Sequence, residues 1–143
     1  MSNFLNLNKE KRPLPELNEL NRPFWEACQD KKLIIQLCEK CSHHRYPISE
    51  FCPKCLSSEY NWVPISGKGE IYSYTIFHRA YHPAFKNKVP YNVAWIKLEE
   101  GIFMISNVIG VDSQSEIQVG MKVMVDFEEI EDEISLPVFR INS

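Results

Sequence analysis

The sequence has no apolar run that approaches the roughly 20 residues a membrane-spanning helix needs. No basic segment followed by an apolar one opens the chain, which is the pattern of a secretory signal. The HExxH metal motif and the phosphate-binding glycine motifs are also missing. His78 and His82 have no serine or cysteine nucleophile near them in sequence, so the pattern indicates no catalytic dyad. These absences argue against a membrane protein, a secreted protein and the enzyme classes that such motifs mark.

Positive charge is scarce and unevenly distributed. The net charge is −3, from 16 Lys and Arg against 19 Asp and Glu. Residues 61–97 hold five basic side chains and one acid, whereas residues 98–143 hold two basic side chains and ten acids. A protein that bound nucleic acid along a broad face would be more basic. A local cluster of cations can still hold a small ligand that carries several negative charges.

Cysteine, in contrast, is present in a pattern with a clear meaning. The segments CEKC and CPKC are separated by ten residues and contain Cys38, Cys41, Cys52 and Cys55. Each Cys-x-x-Cys turn can direct two thiolates to one point, and two turns supply the tetrahedral sulfur set of a structural zinc site. Thiolates favour zinc or iron over magnesium or calcium. The spacing predicts a zinc ribbon with one zinc per chain; two disulfides or a redox cysteine pair are the alternatives.

The predicted zinc site is structural rather than catalytic, because four cysteine ligands leave no open position for water or substrate. His43 and His44 follow the first cysteine pair and are expected on the surface, not on the metal. Metal-type cysteine spacing without an export signal favours a reducing compartment, so we expect the cytoplasm. The fifth cysteine, Cys28, is expected to be a buried thiol in a helix, although a reactive role stays open.

The N-terminal third begins with a polar, proline-containing segment over residues 1–15, which resembles a loose arm. A helix is predicted over about residues 23–30, because apolar residues recur at helical spacing and Pro23 suits a first helical turn. These apolar residues are Leu17, Leu20, Phe24 and Ala27 or Cys28. Their face is expected to pack either on the chain's own ribbon or on a partner protein.

The rest of the chain is predicted to be mainly β. In the ribbon region the expected strands are 33–37, 45–48 and 60–63. After Gly69 the expected strands are 69–78, 91–98, 102–108, 122–127 and 136–141. Five short strands without an intervening long helix are typical of a small closed Greek-key barrel of the OB type. A β-sandwich is the alternative.

The longest break between the later strands is the segment 79–90, RAYHPAFKNKVP. Long loops in compact domains are often functional. Cations in this loop can pair with phosphates, and its rings can stack on a base or cover an apolar chain. The candidate ligand-binding residues are Arg79, Tyr81, His82, Phe85, Lys86 and Lys88. The alternative is a solvated basic loop whose aromatic rings pack on the barrel.

Several motifs in this order resemble a known family. They are RPFWEAC, CEKCSHHRYPISEFCPKC, SGKGEIYSYTIFH, the HPAF loop and PYNVAWIKLEEG. Over about residues 17–143 the chain resembles the zinc-ribbon and OB-fold proteins associated with acyl-CoA metabolism, long catalogued as a domain of unknown function. The resemblance implies a rubredoxin-like ribbon joined to an OB barrel that binds acyl-CoA. It also implies a thiolase-like, acyltransferase, aldolase or hydratase partner, with the chemistry commonly on that partner.

We therefore expect three regions: an arm and helix over 1–32, a zinc ribbon over 33–60 and an OB-fold domain over 61–143. The predicted function is an acyl-CoA-binding accessory subunit with a structural zinc, in which the 79–90 loop faces coenzyme A or acyl-CoA. A nucleic-acid-binding module is one alternative, because OB barrels and zinc ribbons both bind nucleic acids. A self-sufficient enzyme is another, although no nucleophile and base pair is recognisable.

Overall fold

The computed structural model describes residues 14–80, 83, 89–131 and 134–142. Within them the chain forms one α-helix, α1 (Arg22–Gln29), followed by a three-stranded and a six-stranded β-sheet. The predicted mainly β fold with an N-terminal helix is confirmed.

The zinc ribbon contains a small antiparallel sheet in the order β2-β1-β3. Its strands are β1 (Ile34–Cys38), β2 (His44–Arg45) and β3 (Tyr60–Pro64). The returning strand expected over 45–48 is shorter than predicted, because Pro47 has no N–H to donate to a ladder. Beyond Arg45, where the strand pairing ends, the buried side chain of Gln36 makes hydrogen bonds to the backbone in place of a strand ladder. Its Nε2 donates to the carbonyl of Ser49 at 2.9 Å, and its Oε1 accepts the N–H of Ser49 at 2.9 Å.

The barrel sheet follows in the order β6-β5-β4-β8-β9-β7. Its strands are β4 (Lys68–Phe77), β5 (Tyr91–Leu98), β6 (Phe103–Ser106), β7 (Val108–Ile109), β8 (Lys122–Glu131) and β9 (Ile134–Ile141). A 3₁₀ turn, Gln114–Glu116, lies between β7 and β8. Buried side chains alternate with outward ones along β5 and β6, as expected for a sheet with one face on a core.

The strand predicted over 102–108 is bent at Asn107, and its two halves form the two ends of the barrel sheet. β6 pairs with β5, whereas β7 pairs with β9 in parallel. The hydrogen-bond ladders between the strands do not close the sheet, because β6 and β7 at its two ends do not pair with each other. The chain connects these two strands through Asn107, whose carbonyl accepts the N–H of Phe139 at 2.9 Å. The buried Asn92 fixes the bend, because its side chain accepts the N–H of Val108 at 2.7 Å and donates to the carbonyl of Val108 at 2.8 Å.

Helix α1 covers part of the barrel rather than the ribbon alone. Phe24 and Cys28, one helical turn apart, are both buried, and the helix packs against β9 and β8 as well as β1. The apolar face of the helix was expected to pack either on the chain's own ribbon or on a partner protein. It lies mainly on the chain's own barrel. Burial raises the pKa of the Cys28 thiol to about 12, so this cysteine stays protonated and unreactive at neutral pH.

The ribbon joins the barrel at Gly67, where the close approach of β8 leaves no room for a side chain. A Cβ on Gly67 would lie 2.2 Å from Cγ1 of Val125, and its φ of +76° is unfavourable for other residues. The carbonyl of Gly67 accepts the N–H of Val125 at 2.8 Å. The join is therefore a packed contact between the ribbon and the barrel.

Candidate metal centre

The two cysteine turns of the ribbon have the same backbone geometry. In each turn the N–H of the residue four positions later donates to the carbonyl of the first cysteine, from Ser42 to Cys38 at 3.0 Å and from Leu56 to Cys52 at 2.9 Å. Ser42 and Leu56 have φ angles of 62° and 64°. Each first cysteine also donates its own N–H to the carbonyl five positions later. These bonds run from Cys38 to His43 at 2.9 Å and from Cys52 to Ser57 at 2.8 Å. Two matching turns thus present four sulfurs to one point.

The sulfur positions fit a tetrahedral metal. The Sγ atoms of Cys38 and Cys55 lie 3.5 Å apart, those of Cys41 and Cys52 lie 3.6 Å apart, and all four lie within 4.8 Å of one another. Zn–S bonds of about 2.3 Å in a tetrahedron require S···S separations of about 3.8 Å. A disulfide needs about 2.05 Å, and all five cysteines are free. The donor set fits structural zinc rather than the disulfide alternative.

Local backbone dipoles favour thiolate in this cluster. The backbone N–H of Cys41 lowers the pKa of the Cys38 thiol to about 6, and the N–H of Lys54 points at the Sγ of Cys52 at 3.4 Å. Burial and hydrogen bonds with neighbouring thiols instead raise the pKa of Cys41 and Cys55, so without a metal the protons stay on these two sulfurs. Cys38 and Cys52 are buried, whereas Cys41 and Cys55 are exposed. The centre therefore lies at the surface of the ribbon with one pair of ligands inside. A metal held by all four would have no open position, so its role is structural.

Arg45 is a fully buried cation that links the segments around the metal centre. Its Nη1 donates to the carbonyls of Ser49 and Glu50 at 3.2 and 3.4 Å, and its Nη2 to those of Ser57 and Glu59 at 3.1 and 3.5 Å. Its Cζ lies 5.0 Å from the centre of the Tyr60 ring.

The charge of Arg45 has no carboxylate partner among the residues that the structure describes. A zinc with four thiolates carries two negative charges, so a buried cation in the same small module offsets part of that charge. Lys40, a residue within the first turn, instead pairs with Glu59 at 3.2 Å at the surface. Sequence reasoning missed Arg45, because arginine is rarely buried and nothing in its spacing marked it.

His43 and His44 are half-buried and are not part of the sulfur cluster. They line a groove of about 520 Å³ between the ribbon and the barrel, and burial lowers the pKa of His43. Other groove residues are Tyr46, Pro47, Trp95, Gly101, Ile102, Phe103 and Ile105. No pattern in the sequence marks this groove, since its two walls are far apart in the chain.

Of the predicted ligand loop, the structure describes residues 79, 80, 83, 89 and 90. Arg79 is exposed just after β4, and near it the ring of Phe77 stacks on Tyr91 with 5.2 Å between ring centres. The other candidates, Tyr81, His82, Phe85, Lys86 and Lys88, lie outside the described residues. Their role as a group stays a prediction.

Comparison with known families agrees with this two-part architecture. The family model described as "ChsH2, rubredoxin-like zinc ribbon domain" matches residues 25–61, and the one described as "ChsH2, C-terminal OB-fold domain" matches residues 62–128. The chain belongs to the ChsH2 (DUF35) family. In this family, as here, the zinc ribbon precedes the OB-fold domain, which decides against the β-sandwich alternative.

Similar members of the ChsH2 family are named as parts of assemblies. A probable enoyl-CoA hydratase alpha subunit from Thermomonospora curvata is 39% identical over 132 residues, which make up 92% of this chain and 40% of that relative. The chain thus spans less than half of that relative's length. A DUF35 domain-containing scaffold protein from Methanocaldococcus jannaschii is 30% identical over 111 residues, or 76% of this chain and 77% of the relative.

A solved structure gives the same result for the ChsH2 fold. A chain of an Ltp2-ChsH2(DUF35) aldolase superposes with a TM-score of 0.79 at 38% identity, and the match covers 90% of this chain and 98% of that one.

None of the helices that the structure describes here is long and apolar enough to cross a membrane.

Proposed function

We propose that this chain is a non-catalytic subunit that binds the catalytic subunit of an acyl-CoA enzyme, thiolase-like or of the hydratase or aldolase kind. The match to a chain of an Ltp2-ChsH2 aldolase carries this proposal, because it covers 90% of this chain, which includes both the ribbon and the barrel, and 98% of that chain. The name of the hydratase alpha subunit points in the same direction.

The geometry of the metal centre supports a non-catalytic role. The four-cysteine set is the one cluster of potential metal ligands among the residues that the structure describes. Because every ligand position would be filled by sulfur, the metal could not activate a water or polarise a carbonyl. Cys28, the remaining thiol, is buried against the barrel and protonated. The reacting groups are therefore expected on the partner subunit.

The partner is tested by co-expression. The chain is produced together with a thiolase-like, hydratase or aldolase subunit from the same organism, with the affinity tag on the partner, and the product is analysed by size exclusion with light scattering. We expect one complex that contains both chains. Separate elution of the two chains at micromolar concentration would contradict the proposal.

Coenzyme A is proposed to contact the 79–90 loop of this chain within that complex. Coenzyme A offers phosphates, an adenine ring and a long thin arm, and a guanidinium can grip two phosphate oxygens. Arg79 lies at the exposed start of the loop, just after β4. Tyr81, His82, Phe85, Lys86 and Lys88 would add ring contacts and further positive charge.

Calorimetry with coenzyme A and the co-purified complex tests this loop. We expect Arg79→Ala to weaken binding about tenfold, the equivalent of about 1.4 kcal/mol, and to flatten its salt dependence. Phe85→Ala should weaken binding equally at all salt concentrations, since a ring contact is not screened. Lys122→Ala is the control, because Lys122 is an exposed cation that pairs with Glu70 elsewhere on the barrel. Equal affinity in all variants would show that the loop is a solvated connection.

A further inference from the structure

The outer surface of the barrel carries a cluster of large apolar side chains that face solvent. They are Tyr72, Trp95, Phe103 and Ile105, with 54%, 48%, 40% and 60% of their surfaces exposed. We call this cluster the aromatic face. We propose that the aromatic face is the docking surface for the catalytic acyl-CoA enzyme subunit, an inference that rests on the function proposed above.

The aromatic face is a consequence of the sheet geometry. Trp95 on β5 and Ile105 on β6 are paired in register and both point away from the buried side, whose residues include Ile96 and Met104. A bulge in β4 between Ile71 and Ser73 brings Tyr72 to the outside. The face is therefore fixed on three hydrogen-bonded strands.

The rings of the aromatic face contact one another. The ring centre of Phe103 lies 5.0 Å from that of Tyr72 and 6.4 Å from that of Trp95. A mutually packed cluster loses little side-chain entropy when a partner covers it, because the rings already restrict one another. Aromatic anchors on a rigid support are typical of the energetic centre of protein interfaces.

The aromatic face continues into the groove beside the ribbon. Trp95, Phe103 and Ile105 form the barrel wall of that groove, and His43 and His44 form part of its ribbon wall. A partner that covers the face would thus touch both the barrel and the zinc ribbon. This continuity gives the ribbon a second role, which is to hold one wall of the interface in place.

The size of the surface favours a protein over a small ligand. Large apolar side chains present roughly 150–250 Å² each, so four of them at about half exposure offer on the order of 400 Å². A stable protein interface covers about 800 Å² on each partner, and the adjoining groove supplies further area. A small molecule would occupy only the groove, which Tyr72 does not line, and would leave that exposed ring uncovered.

The charge of the surface argues against nucleic acid as the occupant. Lys97 is the one charged residue among the outward positions of β5 and β6, both of which the structure describes in full. A single-stranded nucleic acid would need a row of cations along its backbone in addition to rings for its bases. The outward positions of β5 and β6, which are uncharged apart from Lys97, match the depleted charge of a protein interface core.

The experiment uses the complex of the full chain with the co-expressed acyl-CoA enzyme subunit. Ile105→Lys places a charge on β6 beside Trp95, its register partner, and Tyr72→Lys is a second variant on another strand. Val119→Lys is the matched control, because Val119 is 64% exposed, like Ile105, but lies in the turn before β8. All three variants are first checked for an unchanged thermal transition and one zinc per chain.

We expect Ile105→Lys and Tyr72→Lys each to raise the Kd for the partner at least about tenfold, and Val119→Lys to leave it within about twofold. Wild-type affinity in Ile105→Lys and Tyr72→Lys would overturn the inference while the proposed function stands. If the wild-type chain forms no complex, the proposed function fails and the inference fails with it. Loss of self-association or of binding to a single-stranded oligonucleotide, with the partner affinity unchanged, would assign the face to another occupant and overturn the inference.

Discussion

Cys38→Ser is expected to abolish stoichiometric zinc binding and to lower the thermal transition of the chain by more than about 10 °C. Serine cannot replace a thiolate in the tetrahedral set, and the three remaining sulfurs would repel one another without the metal. The ribbon has few other sources of stability, since its sheet has one two-residue strand and much of its interior is cysteine sulfur and Arg45. Cys55→Ser, in the second cysteine turn, should have the same effect.

Elemental analysis and calorimetric unfolding of the purified protein measure both effects. Cys28→Ala is the matched control, because Cys28 is a buried cysteine outside the cluster. It should keep one zinc per chain and lose only the stability that belongs to a small cavity. A Cys38→Ser protein that keeps its zinc, or a metal-free wild type with an unchanged transition, would refute the structural role of the site.

Arg45→Met is expected to destabilise the ribbon by about 3 kcal/mol or more and to speed the loss of zinc to a chelator. Methionine fills a similar volume but leaves backbone carbonyls without donors, and buried acceptors without partners cost about 1–3 kcal/mol each. It also removes the buried positive charge that offsets the metal–thiolate charge. Arg45→Lys should show an intermediate effect, because a lysine keeps the charge but cannot reach both pairs of carbonyls.

Lys40→Met provides the comparison for Arg45→Met. Lys40 is an exposed cation of the same ribbon, and a surface pair such as Lys40–Glu59 contributes about 0–1 kcal/mol. Urea unfolding and the rate of zinc transfer to a chromogenic chelator are the two readouts. If Arg45→Met and Lys40→Met show the same stability in urea and the same rate of zinc transfer, Arg45 does not stabilise the metal centre.

The sequence predicted the elements whose pattern is local. Cys-x-x-Cys turns fix their own ligands, Pro23 and the helical spacing after it fix α1, and alternation fixes most strands of the barrel. The bend at Asn107 could not be predicted, because it depends on hydrogen bonds between the side chain of Asn92 and the backbone of Val108, 16 residues later in the sequence. The pairing of β4 with β8 also joins segments that are distant in sequence, so the pattern of each strand did not predict it.

Features that depend on tertiary neighbours were missed. An arginine after two histidines has the composition of a surface segment, yet Arg45 is buried by carbonyls from four other positions. The aromatic face was hidden for the opposite reason. Both faces of β5 and β6 carry large apolar residues, so alternation alone does not tell which face is covered.

Native mass spectrometry tests whether this chain is a zinc-stabilised subunit of an acyl-CoA enzyme. The sample is the complex of this chain with the co-expressed enzyme subunit. The spectrum reports the chains present and the metal bound to each in one measurement. We expect a complex in which every copy of this chain carries one zinc, and from which the chain is lost when the zinc is removed. A zinc-loaded chain that stays alone beside the partner, or a complex that forms equally well without zinc, would contradict it.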